Sequence, residues 1–230
     1  IVDWMPNREN KPVEEVLAAG HSGDADGAAA NAEALNSMVT RGYQLNRSGD
    51  TVKAESLYRQ VLHADGNHVA ANNLLGLLCL QAGRTDEAIE FIEKALSISP
   101  DDAQAHSNLG IAYRNLNQLQ KAAEHFHASI RLAPKKPGPF NNLGGVYMVL
   151  GHYQGAAMCF KQALAIQPGL PDVHFNLGNA LFKLQEYDEA IRNLEHCLKL
   201  RPDFVECQKT LELARKERQQ RTDTTPAGGD

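Results

Sequence analysis

The hydrophobic and polar positions of this chain follow a helical period over most of its length. In one representative stretch, Leu109 and Tyr113 mark an apolar stripe, and Ala122 and Phe126 mark a second one. Such spacing places the members of a stripe on one face of an α-helix. A short polar turn separates the two stripes. The pattern therefore predicts two amphipathic helices joined as a hairpin.

A glycine, an alanine and a proline recur in phase with this pattern. Their period is 34 residues, and internal repetition of this length indicates a stacked array of similar units. Proline cannot continue a helix, so it closes the second helix of each unit. A glycine inside a helix costs about 1 kcal/mol relative to alanine, which predicts close packing of Gly110 against Ala122 of the opposite helix. The recurring residues are Gly42, Gly76, Gly110, Gly144 and Gly178, then Ala54, Ala88, Ala122, Ala156 and Ala190, then Pro100, Pro134, Pro168 and Pro202, with Gly66 in place of the first proline.

This pattern resembles that of the tetratricopeptide repeat (TPR) family. The family favours a leucine followed by glycine or alanine in the first helix, an alanine in the second helix and a proline after it. The chain departs from the pattern at Arg41, which occupies the leucine position, and at His106 and His174, which occupy a usually apolar position. The resemblance implies an all-α fold, an α-solenoid in which antiparallel helix hairpins form a right-handed superhelix.

The predicted array is flanked by segments of different character. At the C-terminal end, Phe204, Val205, Leu211 and Leu213 precede a charged stretch, which predicts a helix that covers the last repeat. The predicted boundaries are 1–34 for an acidic N-terminal segment and linker, in which Pro12 to Ala19 could form a short helix; 35–68, 69–102, 103–136, 137–170 and 171–204 for five repeats; 205–221 for a capping helix; and 222–230 for a disordered tail.

The resemblance also implies that the first helices of the repeats line a concave groove. Asn108, Asn142 and Asn176 occupy the same groove position in three successive repeats. An amide side chain carries a donor and an acceptor, which match the C=O and N–H of an extended peptide. The sequence therefore predicts an asparagine ladder that holds a peptide backbone. The alternative is that these asparagines bond to a neighbouring helix or to water.

Apolar residues with a few polar ones make up the rest of the predicted groove. Such a surface suits an extended or helical segment with spaced hydrophobic side chains, although several of these residues are expected to pack inside the array instead. The predicted groove residues are Asn108, Asn142, Asn176, Asn73, Leu74, Leu77, Leu80, Ile111, Arg114, Met148, Phe175, Asn179, Phe182 and Lys183. No lysine occupies the position that family members use to grip a chain-terminal carboxylate, where this chain has Val39, Asn73, Ser107, Asn141 and Phe175.

The charge distribution excludes some classes of partner. The net charge of −5 belongs to residues 1–34, and the rest of the chain is balanced. No basic stripe follows a phosphate backbone, so nucleic acid is not an expected partner. No apolar run is long enough to span a membrane. The four cysteines include no C-x-x-C pair, which predicts a reducing compartment and a cytoplasmic location, with a processed exported form left open.

Catalytic chemistry is not indicated. The chain has no nucleophile elbow, no phosphate-binding glycine loop and no H-E-x-x-H motif. His125 and His127 point about 200° apart on a helix, so they cannot share a metal ion. The sequence therefore predicts no enzyme activity, no catalytic residue, no metal site and no cofactor.

The leading hypothesis is a non-enzymatic scaffold or adaptor that binds a peptide segment of a partner protein in the concave groove. The alternative is the non-catalytic arm of a larger glycosyltransferase or sulfotransferase that recruits its protein substrate. The acidic N-terminal segment, which carries Trp4, Met5, Val13, Val16 and Leu17, could itself occupy the groove. Self-association is a further hypothesis.

Overall fold

The computed structural model of the chain describes residues 25–224. Within this range it contains eleven helices and no strand, which confirms the predicted all-α class. The chain divides into two compact units between Asp101 and Asp102, here called unit 1 and unit 2. The predictions for residues 1–24 and 225–230 lie outside the described residues. The boundaries of the repeats and flanking segments stay a prediction.

Unit 1 contains four helices in two hairpins. Each helix packs against the next one along the chain, and the first and third helices also meet. Buried residues such as Ala54, Tyr58 and Ile92 form the apolar contacts between them. The helices are α1 (Ala25–Arg47), α2 (Thr51–Ala64), α3 (Val69–Gln81) and α4 (Thr85–Ile98).

Helix α1 begins earlier than the sequence pattern suggested. Its first residue is Ala25, inside the stretch that was predicted to be a linker before residue 35. The sequence from Ala25 to Ala34 is rich in alanine, the residue with the highest helix propensity. These alanines compensate for the single Gly27, so the helix extends into a stretch without an apolar stripe.

Four charged side chains connect α2 with the start of α4. Glu55 accepts hydrogen bonds from Arg84 at 2.6 and 2.9 Å and from Arg59 at 2.8 Å. Glu87 pairs with the same two arginines. The hydrogen bonds from Arg84, followed by those from Arg59, lower the pKa of the Glu55 carboxyl. The network therefore favours the ionised form of this carboxyl in the folded state.

His68 caps the N-terminus of α3. Its Nδ1 accepts a hydrogen bond from the Ala71 N–H at 3.3 Å, so Nε2 carries the hydrogen and donates to Asn36 Oδ1 at 3.0 Å. Burial lowers the pKa of this imidazole, while the charge of Asp65 opposes the shift. The cap therefore depends on a neutral histidine, because a protonated Nδ1 has no lone pair to accept the hydrogen bond.

Unit 2 contains three hairpins and a final long helix. Successive helices pack against each other, and the first helices of neighbouring hairpins also meet. One core cluster surrounds Phe160, Val173, Leu177 and Leu181. The helices are α5 (Ala103–Asn115), α6 (Leu119–Leu132), α7 (Pro137–Val149), α8 (Tyr153–Ile166), α9 (Pro171–Lys183), α10 (Tyr187–Leu200) and α11 (Val205–Thr224).

Helix α11 packs on α10 through both apolar and charged side chains. Cys207, Leu211 and Ala214 are buried in one cluster with residues of α10. Arg215 also pairs with Glu195 of α10 at 2.8 Å. The apolar face of α10 is thus covered by the last helix.

The recurring glycines face a large side chain of the second helix. A Cβ on Gly110 would lie 2.7 Å from the ring of Phe126, which is closer than real Cβ atoms come to a neighbour. The sequence predicted Ala122 as the opposing residue, and the atoms nearest to this Cβ belong to the ring of Phe126. The same relation recurs in every hairpin, with the pairs Gly42–Tyr58, Gly76–Ile92, Gly110–Phe126, Gly144–Phe160 and Gly178–Leu194. In two other hairpins the backbone oxygen of the equivalent alanine also lies close to the glycine's Cβ position, at 3.1 Å for Ala88 and 3.5 Å for Ala190. The glycine therefore makes room for the side chain that fills the inside of its own hairpin.

Candidate functional site

Polar side chains follow the first helices of the three hairpins in unit 2. Helix α5 contacts α7, and α7 contacts α9, so these helices lie side by side. We call this set of residues the polar strip. Its members are Gln104, Asn108 and Arg114 on α5, Asn141 and Asn142 on α7, and Asn176 on α9.

The three asparagines of the predicted ladder differ in their surroundings. Asn108 and Asn142 are only 1% and 2% exposed, whereas Asn176 is half-buried. Asn108 Oδ1 accepts a hydrogen bond from Gln104 at 3.0 Å, and Asn142 Oδ1 accepts one from Arg114 at 3.4 Å. The contact of Asn142 is with a neighbouring first helix, as in the alternative that the sequence left open. The ladder itself stays a prediction.

Asn141 and Asn176 form a half-buried pair between α7 and α9. Asn176 Nδ2 donates to Asn141 Oδ1 at 3.2 Å. The other two amide atoms, Asn141 Nδ2 and Asn176 Oδ1, make no hydrogen bond to any residue in the 25–224 range. If both amides are flipped, donor and acceptor exchange places, but one of each is still left over. The pair therefore offers a donor and an acceptor to a ligand.

Asn141 was not among the predicted groove residues. It directly precedes Asn142 in the sequence, and the two side chains contact different neighbouring helices. The asparagine doublet was the signal that could have identified it, because adjacent residues of a helix face about 100° apart. Pairing across two hairpins could not be inferred from the repeat of a single position.

Arg114 lies in the last turn of α5 and is half-buried. Its hydrogen bond to Asn142 is long, and no carboxylate of the described residues lies within 4.0 Å of it. Burial lowers the pKa of this guanidinium. The polar strip thus contains a desolvated cation without an anionic partner in this part of the chain.

Most of the predicted apolar groove residues of unit 2 contribute to internal packing. The tilted rings of Phe175 and Phe204 pack together with centroids 4.7 Å apart, and the rings of Phe182 and Tyr187 do so with centroids 5.6 Å apart. The remaining predicted residues of this unit divide by exposure: Ile111 is buried, Met148 and Asn179 are half-buried, and Lys183 is exposed.

The predicted groove residues of unit 1 all lie on α3. Asn73 and Leu80 are buried, whereas Leu74 and Leu77 are half-buried. This face of α3 is more apolar than the polar strip of unit 2. It presents two partly accessible leucine side chains.

Two histidines have partners that the sequence did not reveal. His106 Nδ1 lies 3.0 Å from His125 Nδ1, and His174 Nδ1 lies 3.1 Å from Asn193 Oδ1. In both hairpins the histidine of the first helix meets the residue at the same place in the second helix. Both pairs have the same sequence separation, and this repeated spacing was the signal that could have identified the partners.

Within residues 25–224, no three histidine, cysteine, aspartate or glutamate side chains are grouped as metal ligands. Over the same range, no helix combines the length and the apolar character needed to cross a membrane.

Solved structures with a similar fold cover most of this chain. MamA is 24% identical, with a TM-score of 0.60 over 79% of this chain and 96% of MamA. PilF from Pseudomonas aeruginosa is 19% identical, with a TM-score of 0.71 over 85% of this chain and 94% of PilF. YrrB, a TPR protein with an unusual peptide-binding site, is 19% identical, with a TM-score of 0.62 over 78% of this chain and 90% of YrrB. These similarities confirm the α-solenoid fold.

Sequence models of the family match the chain in both units. Models for the tetratricopeptide repeat match residues 45–107, 80–138 and 171–204, and a TPR repeat model matches residues 146–185. Among curated proteins, none matches the chain. Together with the helix hairpins and their in-phase glycines, the matches show that this chain belongs to the tetratricopeptide repeat family.

Proposed function

We propose that this chain is a protein-interaction scaffold whose polar strip holds an extended segment of a partner protein. Its TPR repeats and its structural neighbours support an interaction scaffold. The observation that carries the finer proposal is the Asn141–Asn176 pair, which has one amide donor and one amide acceptor left over.

The leftover atoms match the backbone of an extended peptide. Asn141 Nδ2 donates to a peptide C=O, and Asn176 Oδ1 accepts from a peptide N–H. Both contacts are independent of the partner's side chains, so the pair holds a backbone without selecting a sequence. Each neutral hydrogen bond contributes about 1 kcal/mol net, so the rest of the affinity comes from side-chain contacts along the first helices.

The similarity to YrrB supports the proposal at the level of the fold. YrrB shares the helix hairpins of this chain and has a peptide-binding site of its own. The position of that site is not carried over to this chain. The polar strip is proposed from its own hydrogen bonds and exposure.

A library of displayed random twelve-residue peptides tests the proposal. Peptides that bind the full chain are synthesised, and their affinity is measured by fluorescence anisotropy. The Asn141→Ala/Asn176→Ala double variant should bind about tenfold to thirtyfold more weakly, because two hydrogen bonds of about 1 kcal/mol each are lost. Unchanged helicity by circular dichroism shows that the double variant is folded.

Asn115→Ala is the matched control. Asn115 is exposed at the end of α5 and is not part of the polar strip, so its removal should leave the affinity unchanged. Equal affinity of the double variant and the wild type would contradict the proposal. The alternative function, a substrate-recruiting arm of a larger glycosyltransferase or sulfotransferase, stays a prediction, and it would use the same strip to hold the substrate protein.

A further inference from the structure

We infer that the segment bound by the polar strip carries an aspartate or glutamate side chain that pairs with Arg114. The inference rests on the proposed function, because it names the chemistry of the ligand at the same strip. It adds a preference for one type of side chain to a site whose asparagine pair contacts only the peptide backbone.

The first argument is the unused hydrogen-bonding capacity of Arg114. A guanidinium has five N–H donors, and Arg114 uses one of them, in a long contact of 3.4 Å to a neutral amide. Removing a cation from water is unfavourable unless an anion compensates for it. A carboxylate that approaches from solvent would restore the lost interaction through two charge-assisted hydrogen bonds.

The second argument is a comparison with other partly buried arginines of the same chain. The Arg84 side chain is 36% exposed and holds Glu55 through two hydrogen bonds, and the Arg201 side chain is 38% exposed and holds Asp172 in the same way. Arg114 is the half-buried arginine of the 25–224 range that has no such carboxylate. A partner's carboxylate would complete the same arrangement.

The position of Arg114 at the end of a helix does not account for its burial. A cation in the last turn interacts favourably with the helix dipole, and Arg131 has the corresponding position in α6. Arg131 is exposed, so it gains this interaction without losing its hydration. Arg114 is instead turned toward α7, where it donates a hydrogen bond to Asn142.

The geometry places Arg114 and the asparagine pair within reach of one extended segment. Arg114 contacts Asn142, the residue next to Asn141, and Asn141 contacts Asn176 on the following first helix. Packed helices lie about 8–10 Å apart, and an extended chain advances about 3.3 Å per residue. The acidic side chain is therefore expected about three residues from the peptide unit that the asparagine pair holds.

The peptide library tests this inference with three further variants. It is selected in parallel on the full wild-type chain, on Arg114→Gln, on Arg114→Lys and on Arg131→Gln. Peptides selected by the wild type and by the Arg131→Gln control should share an aspartate or glutamate at one aligned position. Peptides selected by Arg114→Gln should lack this preference.

Affinities of one selected peptide give the decisive measurement. Exchange of its acidic residue for the amide should weaken binding to the wild type about tenfold or more, since hydrogen bonds to charged groups are worth about 1.5–3 kcal/mol. The same exchange should have little effect on binding to Arg114→Gln. Arg114→Lys retains the charge but not the planar guanidinium, so it should bind the acidic peptide more weakly than the wild type and more tightly than Arg114→Gln.

The outcomes separate this inference from the proposed function. Selected peptides without an acidic preference, or with the same preference on Arg114→Gln, overturn the role of Arg114, even if the asparagine double variant still weakens binding. Binding that depends on Arg114 but not on the asparagine pair supports the acidic contact and overturns the backbone contact. A library that yields no binder overturns both.

Discussion

Two adjacent glycines of α7 provide a direct test of how the hairpins pack. A Cβ on Gly144 would lie 2.6 Å from the ring of Phe160, whereas a Cβ on Gly145 meets nothing within 4 Å. Both glycines lie inside the same helix, so alanine changes their helix propensity by the same amount. The two substitutions therefore differ mainly in packing.

The expected magnitudes follow from these distances. Gly145→Ala should stabilise the protein by up to about 1 kcal/mol, because alanine restricts the unfolded chain and favours the helix. Gly144→Ala gains the same amount, but the Phe160 ring has to move by roughly 1 Å to reach an ordinary carbon–carbon distance. Phe160 is fully buried, and overpacking of this kind costs about 1–3 kcal/mol. Gly144→Ala should therefore be about 1–3 kcal/mol less stable than Gly145→Ala.

Urea unfolding followed by circular dichroism measures the difference. The midpoints of the two variants are compared directly, because repeat arrays do not always unfold in two states. In a Phe160→Ala background, Gly144→Ala should cost less stability than in the wild type, because the ring that its Cβ would meet is absent. Equal midpoints for Gly144→Ala and Gly145→Ala would refute the packing explanation.

Three further predictions concern ionisable groups. The pKa of Glu55 is lowered by its arginine partners, so its contribution to stability is present above its ordinary pKa of 4.5 and is lost as the pH falls through the lowered value. Glu55→Gln should lower the urea midpoint at pH 7 and reduce its fall in acid, and an unchanged acid dependence would contradict this assignment. Burial lowers the pKa of His68, so the unfolded chain binds the proton more readily and stability should fall as the pH drops below about 6.5. His68→Asn keeps an N-cap residue and should remove this loss of stability in thermal melts. A loss that persists in the variant would exclude His68 as its source. Burial raises the pKa of Cys79 and Cys159 to about 11 and that of Cys197 to about 12. At pH 8 about one of these thiols in a thousand or fewer is ionised, so iodoacetamide should modify the three cysteines only in denaturant. Mass spectrometry measures the modification. Rapid modification of the native protein would contradict this prediction and indicate that the hairpins open.

The helical class was accessible from the sequence because each hairpin repeats the same small and apolar residues. Gly110 and its equivalents marked the close contacts correctly, although the sequence did not identify the ring of Phe126 as the nearest neighbour of Gly110. Helix α1 begins at Ala25, inside the stretch predicted to be a linker, because the alanines before residue 35 favour a helix without an apolar stripe. Periodicity detects burial, and it misses helix that is favoured by propensity alone.

The candidate site was less accessible from the sequence. The repeated position of Asn108, Asn142 and Asn176 identified polar side chains on the first helices, but their exposure depends on the neighbours that each one meets. Gln104 donates a hydrogen bond to the side-chain oxygen of Asn108, and Arg114 donates one to that of Asn142. Asn176 donates to Asn141. A repeat pattern describes equivalent positions in successive units, whereas these hydrogen bonds join positions that are not equivalent.

The contact between each glycine and its large neighbour has a consequence for how such a chain can grow. Both residues belong to the same hairpin, so duplication of the DNA for one unit copies a finished piece of packing. The pairs Arg114–Asn142 and Asn141–Asn176 join different hairpins, and a duplicated unit has to acquire new ones with its new neighbours. Sequence divergence after duplication can therefore alter the polar surface between units and leave the inside of each unit intact. An array built in this way can change its ligand without rebuilding its fold.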